Sequence, residues 1–200
     1  MSEKPYHEDE RFQTSQETGR ERRRRRAPKK GGGVVEFLVI LLVSFALVFG
    51  FVRPFVVEAF YIPSESMVPT LRVGDRVLVN KFIYRFSEPQ RGDVVVFKSV
   101  EGDNEDLIKR VVGVPGDRIS VRRGKLYVNG EPQKEPYVNK KFPDRSYFAP
   151  KTVPKDHVFV MGDNRANSRD SRFFGPVPDE NIEGEAFLRF WPLDRFGSLL

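Results

Sequence analysis

Hydrophobic and polar positions divide this chain into three parts. Met1 to Arg20 is almost wholly polar and reads as disordered, with too little apolar surface to offset the entropy of folding. From Val34 to Val52 the pattern inverts: 19 residues run with Glu36 and Ser44 as the only polar side chains. At 1.5 Å rise per residue, a helix over that stretch is roughly 28 Å long, close to the hydrocarbon thickness of a bilayer. A buried core helix would keep a polar face, and this run has none. A cleaved signal peptide would have a shorter apolar stretch followed by a small-x-small site, whereas Val52-Arg53-Pro54-Phe55 follows here. The run therefore reads as an uncleaved transmembrane anchor over 34–53, behind a disordered basic tail of residues 1–33.

From Phe55 onward the periodicity is that of strands. Short segments rich in Val, Ile and Phe, separated by Gly or Pro, predict strands over Phe55–Tyr61, Arg76–Lys81, Asp93–Lys98, Leu107–Val114, Arg118–Arg122, Lys125–Val128, His157–Met161 and Glu183–Trp191. Gly-Asp recurs at Gly74-Asp75, Gly92-Asp93, Gly116-Asp117 and Gly162-Asp163. Three of these pairs open a strand, which is turn chemistry. Arg123-Gly124 marks a hairpin within Val121–Val128, and Asn129-Gly130 marks a second tight turn. Glu131 to Asp156 is proline-rich with little periodicity, so a small accessory excursion is expected at about 123–156. No long amphipathic helical pattern follows the anchor. The expected fold is mainly β, with antiparallel sheets forming a partly closed, barrel-like domain over 54–200.

Charge adds orientation. Residues 1–30 hold ten Lys/Arg against six Asp/Glu, and the remaining 170 hold 24 against 22. The body is near neutral, so the basic balance does not point to nucleic acid. Eight Lys/Arg lie between Arg20 and Lys30, while Arg53 is alone in the first dozen residues past the span. By the positive-inside rule the N-terminus is cytoplasmic and the large C-terminal part is exported. The chain has no cysteine, which removes disulfides, thiolate nucleophiles and Cys-ligated metals. Only His7 and His157 carry imidazole and no His-Glu-x-x-His occurs, so no metal or other cofactor is expected.

Candidate chemistry begins at Pro63-Ser64-Glu65-Ser66-Met67-Val68-Pro69-Thr70-Leu71. The prolines stiffen the stretch and prevent a helix from running through it. If it is extended, Ser64 and Ser66 share one side, so that one hydroxyl attacks while the other steadies the developing charge. Alone, the stretch reads more simply as a polar turn leading into a strand. A serine nucleophile needs a base. His157 lies in a predicted strand and reads as an ordinary edge residue. Lys109, within Leu107-Ile108-Lys109-Arg110-Val111-Val112-Gly113-Val114-Pro115-Gly116-Asp117, is the better candidate. Alternation alone favours a solvated outward lysine, whereas an inward one would be desolvated and its pKa lowered. The third cluster, Gly162 to Arg172, is almost free of apolar residues. It suits either a surface loop or a hydrogen-bonded scaffold beside a site.

Taken in order, Pro-Ser-x-Ser-Met-x-Pro-Thr-Leu, Gly74-Asp75-Arg76-Val77-Leu78-Val79, Lys-Arg-Val-Val-Gly-x-Pro-Gly-Asp and Gly-Asp-Asn-Arg-x-Asn-Ser-x-Asp-Ser-Arg follow a signal anchor. That succession closely resembles the bacterial type I signal peptidases, membrane-bound Ser/Lys proteases, from Val34 to about Trp191. The resemblance implies that Ser66 is the nucleophile and Lys109 the general base. It further implies an oxyanion hole from the Ser66 N–H and the Ser64 hydroxyl, and Ser168 orienting the lysine amine. Asp170 and Arg172 would be a structural pair holding the loop. Implied substrates are exported preproteins with small residues at −1 and −3, and the implied location is the bacterial cytoplasmic membrane, crossed once. Phe55–Ala59 and Met67–Val68 are expected to touch lipid at the interface. The departures are a single membrane span, where some relatives have two, and a compact excursion. The rival readings are another Ser/Lys protease on the same scaffold, or an inactive anchored binding module. The sequence decides no oligomeric state.

Overall fold

The computed structural model describes residues 33–52, 56–141 and 143–199. The expected disordered tail thus lies, apart from Gly33, outside the described residues. Helix α1 (Gly33–Leu47) continues as one turn of π-helix over Val48–Val52. Its described side chains are exposed throughout, and it is long and apolar enough to cross a membrane. A helix with no buried face among the described residues suits a segment solvated by lipid.

The rest is antiparallel β. Its strands are β1 (Val57–Tyr61), β2 (Arg76–Asn80), β3 (Val94–Lys98), β4 (Asp106–Gly113), β5 (Arg118–Arg122), β6 (Lys125–Val128), β7 (Glu131–Pro132), β8 (Phe148–Thr152), β9 (His157–Met161), β10 (Val177–Pro178), β11 (Ile182–Trp191) and β12 (Gly197–Ser198). One sheet runs β1-β2-β11-β3-β4-β9-β10 with β12 added to β11, and a smaller one runs β7-β6-β5-β8. Both remain open, with β1 and β10 at the ends of the larger, so the barrel-like curl stops short of closure. A four-residue helix, α2 (Ser171–Phe174), follows β9.

Burial follows the patterns that predicted the strands. Val77 and Val79 of β2 turn inward to meet Ile62, Met67, Leu71, Val94 and Ile108 in one apolar cluster. A second cluster joins Ile119, Val121, Leu126 and Val128 of the small sheet to Phe159 and Met161 of β9, tying the two sheets together. Val94 to Phe97 of β3 and Ile108 to Gly113 of β4 are buried without alternation. Both faces of these central strands are covered, which is why every position is shielded. Gly113 sits at a β4–β9 register shift, where an added Cβ would lie 2.6 Å from Ile119 Cδ1.

Three of the four Gly-Asp pairs build one kind of turn. Each glycine has positive φ, and each aspartate accepts the N–H three residues back: Asp75 from Arg72 at 2.8 Å, Asp93 from Gln90 at 2.8 Å, Asp117 from Val114 at 3.0 Å. Gly162-Asp163 does otherwise and belongs to the site below. The proline-rich excursion contributes β7 and β8, which pair with β6 and β5, and buries Val153 in the second cluster. No sequence signal marked these two strands, because edge pairing here rests on tertiary contact rather than periodicity.

Candidate active site

Ser66 lies on the connection from β1 to β2. The connection is closed at its base by Ile62 N–H to Asp75 O and Gly74 N–H to Ile62 O, both 3.0 Å. Met67 and Leu71 are fully buried and plug it into the core. Residues 64–70 form successive turns, not the extended segment expected, and Met67 points into the protein rather than toward lipid. The winding is held by Val68 N–H to Glu65 O at 3.1 Å and Leu71 N–H to Met67 O at 2.9 Å, and in it both Met67 and Leu71 are buried. The two hydroxyls nonetheless meet, with Ser64 Oγ 3.3 Å from Ser66 Oγ. Ser64 is exposed while Ser66 is buried. The Ser66 amide N–H has no acceptor among the described residues.

Lys109 is placed by β4, between β3 and β9, with Val95 opposite it. Only 4% of the residue is exposed. Because β4 is covered on both faces, alternation offers this lysine no solvated side. Its Nζ donates to Ser66 Oγ and to Ile108 O, each at 2.9 Å. Burial lowers its pKa to about 8, against a smaller opposing pull from the negative charge of Asp170. An amine lowered to that range is partly neutral near physiological pH, and a neutral amine at this distance is able to accept a proton from the hydroxyl.

The loop after β9 closes around this pair. Gly162 carries no side chain because an added Cβ would stand 2.5 Å from Ser66 O and 2.3 Å from Ser168 Oγ. Asn164 N–H bonds Ser66 O at 2.9 Å and Asn164 Nδ2 bonds Glu65 O at 3.1 Å. Asp170 is fully buried; it caps α2 and accepts from Gly162 N–H at 3.0 Å, Ser168 Oγ at 2.8 Å, and Arg172 Nε and Nη2 at 2.8 and 2.9 Å. Arg172 also reaches Asp144 Oδ2 at 2.9 Å and Arg165 O at 2.7 Å. The expected Asp170–Arg172 pairing is therefore present. The expected bond from Ser168 to the lysine amine is not found among the described residues; the hydroxyl donates to Asp170 at 2.8 Å. His157 is engaged with its neighbour, Nδ1 lying 2.8 Å from Lys155 O.

A second buried network went unread in the sequence. Arg110, next to the lysine, forms a two-pronged pair with Asp163 at 2.9 and 2.8 Å, and Thr70 Oγ1 donates to the same carboxylate at 2.5 Å. The Tyr137 ring lies 4.2 Å from the Arg110 guanidinium. Arg165 makes a matching fork to Glu135, at 3.0 and 2.5 Å. These bonds join the serine loop, the lysine strand, the polar loop and the excursion. Arg110, Asp163, Thr70, Asn164 and Arg165 all stand within the quoted motifs, but in the side-chain hydrogen bonds just described for them the partners are 30 to 99 positions away in sequence and only folding joins them.

Comparison with known proteins adds the following. The sequence profile described as "Signal peptidase, peptidase S26" matches residues 34–191. Signal peptidase I of Leptolyngbya laminosa is 48% identical over 155 residues, 74% of this chain and 75% of that protein. A probable signal peptidase I-2 of Synechocystis is 44% identical over 153 residues, covering 74% and 69%. Signal peptidase IB of Staphylococcus aureus is 38% identical over 180 residues, covering 80% and 91%. A crystal structure of a signal peptidase I from Enterococcus faecalis is 34% identical and covers 50% of this chain and 97% of its own, with a TM-score of 0.44.

Proposed function

Since the chain belongs to the peptidase S26 family of signal peptidases and is thus a serine peptidase that removes signal peptides, we propose that it does so with a Ser66/Lys109 dyad. The observation that carries the proposal is the buried Lys109 Nζ, 2.9 Å from Ser66 Oγ, with a pKa lowered to about 8. Neutral Lys109 takes the hydroxyl proton as Ser66 Oγ adds to the scissile carbonyl carbon. The carbonyl oxygen becomes an oxyanion, held by the Ser66 N–H and the Ser64 hydroxyl. As that intermediate collapses, the C–N bond breaks and the lysine ammonium passes its proton to the departing amine. The acyl-enzyme remains. Water then gives a proton to Lys109 and attacks the ester. Ser66 leaves with the returned proton, releasing the signal peptide.

The surrounding residues support roles one step removed. Ser168, Asp170 and Arg172 form a buried assembly that holds the polar loop against the serine connection, with Ser168 acting on the lysine through Asp170. Cleavage after small residues at −1 and −3 follows from the family resemblance. The apolar helix fits a single-pass membrane protein. The basic flank before it supports a cytoplasmic tail over 1–33, an anchor over 34–53 and an exported catalytic part over 54–200, in the bacterial cytoplasmic membrane.

Purified full-length protein, its Ser66→Ala variant and its Lys109→Ala variant, assayed on one preprotein, test the dyad. Cleavage by the unaltered chain and none by either folded variant is expected. Retained cleavage by Ser66→Ala would overturn the assignment.

A further inference from the structure

Asn164 is 3% exposed and makes two bonds to the serine connection, yet its own Oδ1 is buried without a partner among the described residues. A lone buried acceptor is a cost to the fold, so the residue is retained for what its donors do. Turning the amide over would set Oδ1 against Glu65 O, two acceptors face to face, so the orientation with Nδ2 toward Glu65 is forced.

The geometry follows from one planar unit. Glu65 C=O and Ser66 N–H belong to the same trans peptide, so they point in opposite directions within one plane. Holding Glu65 O from one side therefore aims the Ser66 N–H away to the other. Asn164 N–H fixes the next unit by bonding Ser66 O at 2.9 Å. A second donor to Glu65 O, Val68 N–H at 3.1 Å, comes from within the connection and moves with it. Asn164 alone ties that peptide to the rest of the fold among the described residues. Its neighbour Asp163 is locked to Arg110, so the grip is referred to the strand that carries Lys109.

Resting on the proposed role of the Ser66 N–H, we infer that Asn164 is a positioning residue that aims the oxyanion hole by clamping the Glu65–Ser66 peptide. It touches neither the substrate nor the lysine. Its removal leaves both hydroxyls and the base in place but lets the backbone donor swing.

The test uses the full chain in detergent micelles, with a preprotein substrate and a peptide aldehyde as probe. Ser66 Oγ adds to the aldehyde carbon, the hydroxyl proton passes to Lys109, and the aldehyde oxygen becomes the oxyanion. Asn164→Leu keeps the shape and removes the donor together with the orphaned acceptor. Asn164→Ala removes the same two groups without any risk of steric clash. Deleting a whole oxyanion donor costs about 10²–10³-fold. Because Val68 N–H still restrains the peptide, kcat is expected to fall roughly 10–100-fold. KM should stay within about threefold, aldehyde affinity should drop by the same factor as kcat/KM, and the acid limb of the pH profile should not move. Thermal midpoints of the two variants are expected to hold. Unchanged kcat, a loss confined to KM, unchanged aldehyde affinity beside a fallen kcat, or a shifted acid limb would each overturn the inference. Ser66→Ala, run alongside, separates this failure from failure of the dyad: activity there removes the premise, whereas its absence leaves the Asn164 result to stand on its own.

Discussion

Replacing Lys109 with methionine keeps the length and bulk of the side chain and removes its amine. A lysine held near pH 8 instead of 10.5 bears about 3 kcal/mol of unfavourable charging in the folded protein. Below pH 8 the amine is protonated in both folded and unfolded chains, and that burden is fully present. Between 8 and 10.5 the unfolded chain holds more protons, so the stability of the unaltered protein rises with pH. Above 10.5 the amine is neutral in both and the burden is gone. Methionine forgoes the bonds to Ser66 Oγ and Ile108 O, at about 1 kcal/mol each. At pH 7 the variant should thus be more stable by about 1 kcal/mol, and near pH 11 less stable by about 2 kcal/mol. Groups that titrate in both proteins cancel in the difference. Urea unfolding of the full chain in detergent, followed by the fluorescence of Trp191 from pH 7 to pH 10.5, measures it. A difference that is flat with pH, or that moves further in favour of methionine as pH rises, would refute a desolvated lysine.

Four further outcomes are expected. The kcat/KM for preprotein should rise with pH through about 8 as Lys109 loses its proton, and Lys109→Arg should be inactive because guanidinium stays charged there. His157→Ala should cleave nearly as well as the parent chain, since its ring is engaged with Lys155 O; an inactive but folded variant would point to imidazole instead. Ser64→Ala should fold normally and lose up to about 10²-fold in kcat, the loss of one oxyanion donor; equal kcat makes Ser64 a plain loop residue. Asp170→Asn should destabilise the fold by about 3 kcal/mol, because Arg172 loses a buried counter-charge. It should also move the acid limb to lower pH, because Asp170 is what pulls the lysine pKa upward. An unmoved limb in folded protein would remove Asp170 from the electrostatics of the base.

Much of this protein is legible from local pattern. The apolar run at Val34–Val52 defines the one long helix, and eight strands fall within a few residues of where Val, Ile and Phe alternate or cluster. Gly74, Gly92 and Gly116, each followed by aspartate, carry their turns with them, since a positive φ and a carboxylate three residues on are local requirements. Ser64, Ser66 and Lys109 could be singled out because a hydroxyl pair and an isolated lysine among apolar neighbours are unusual in themselves.

What tertiary structure decided is which of two local readings each residue takes. Alternation permitted an outward Lys109, and only the covering of both faces of β4 buries it and lowers its pKa. Proline spacing suggested an extended serine stretch, and the folded chain instead holds it in turns, closed by Val68 N–H to Glu65 O and Leu71 N–H to Met67 O, with Met67 and Leu71 buried. Ser168 donates to Asp170, a pairing that has no sequence signature. Gly162 reads like the other three Gly-Asp glycines, yet it is there for space beside Ser66 O, not for positive φ. Pairings such as Arg110 with Asp163 and Asn164 with Glu65 span 53 and 99 positions. Periodicity reaches over a few residues; contacts at that separation exist only once the sheets have brought the loops together.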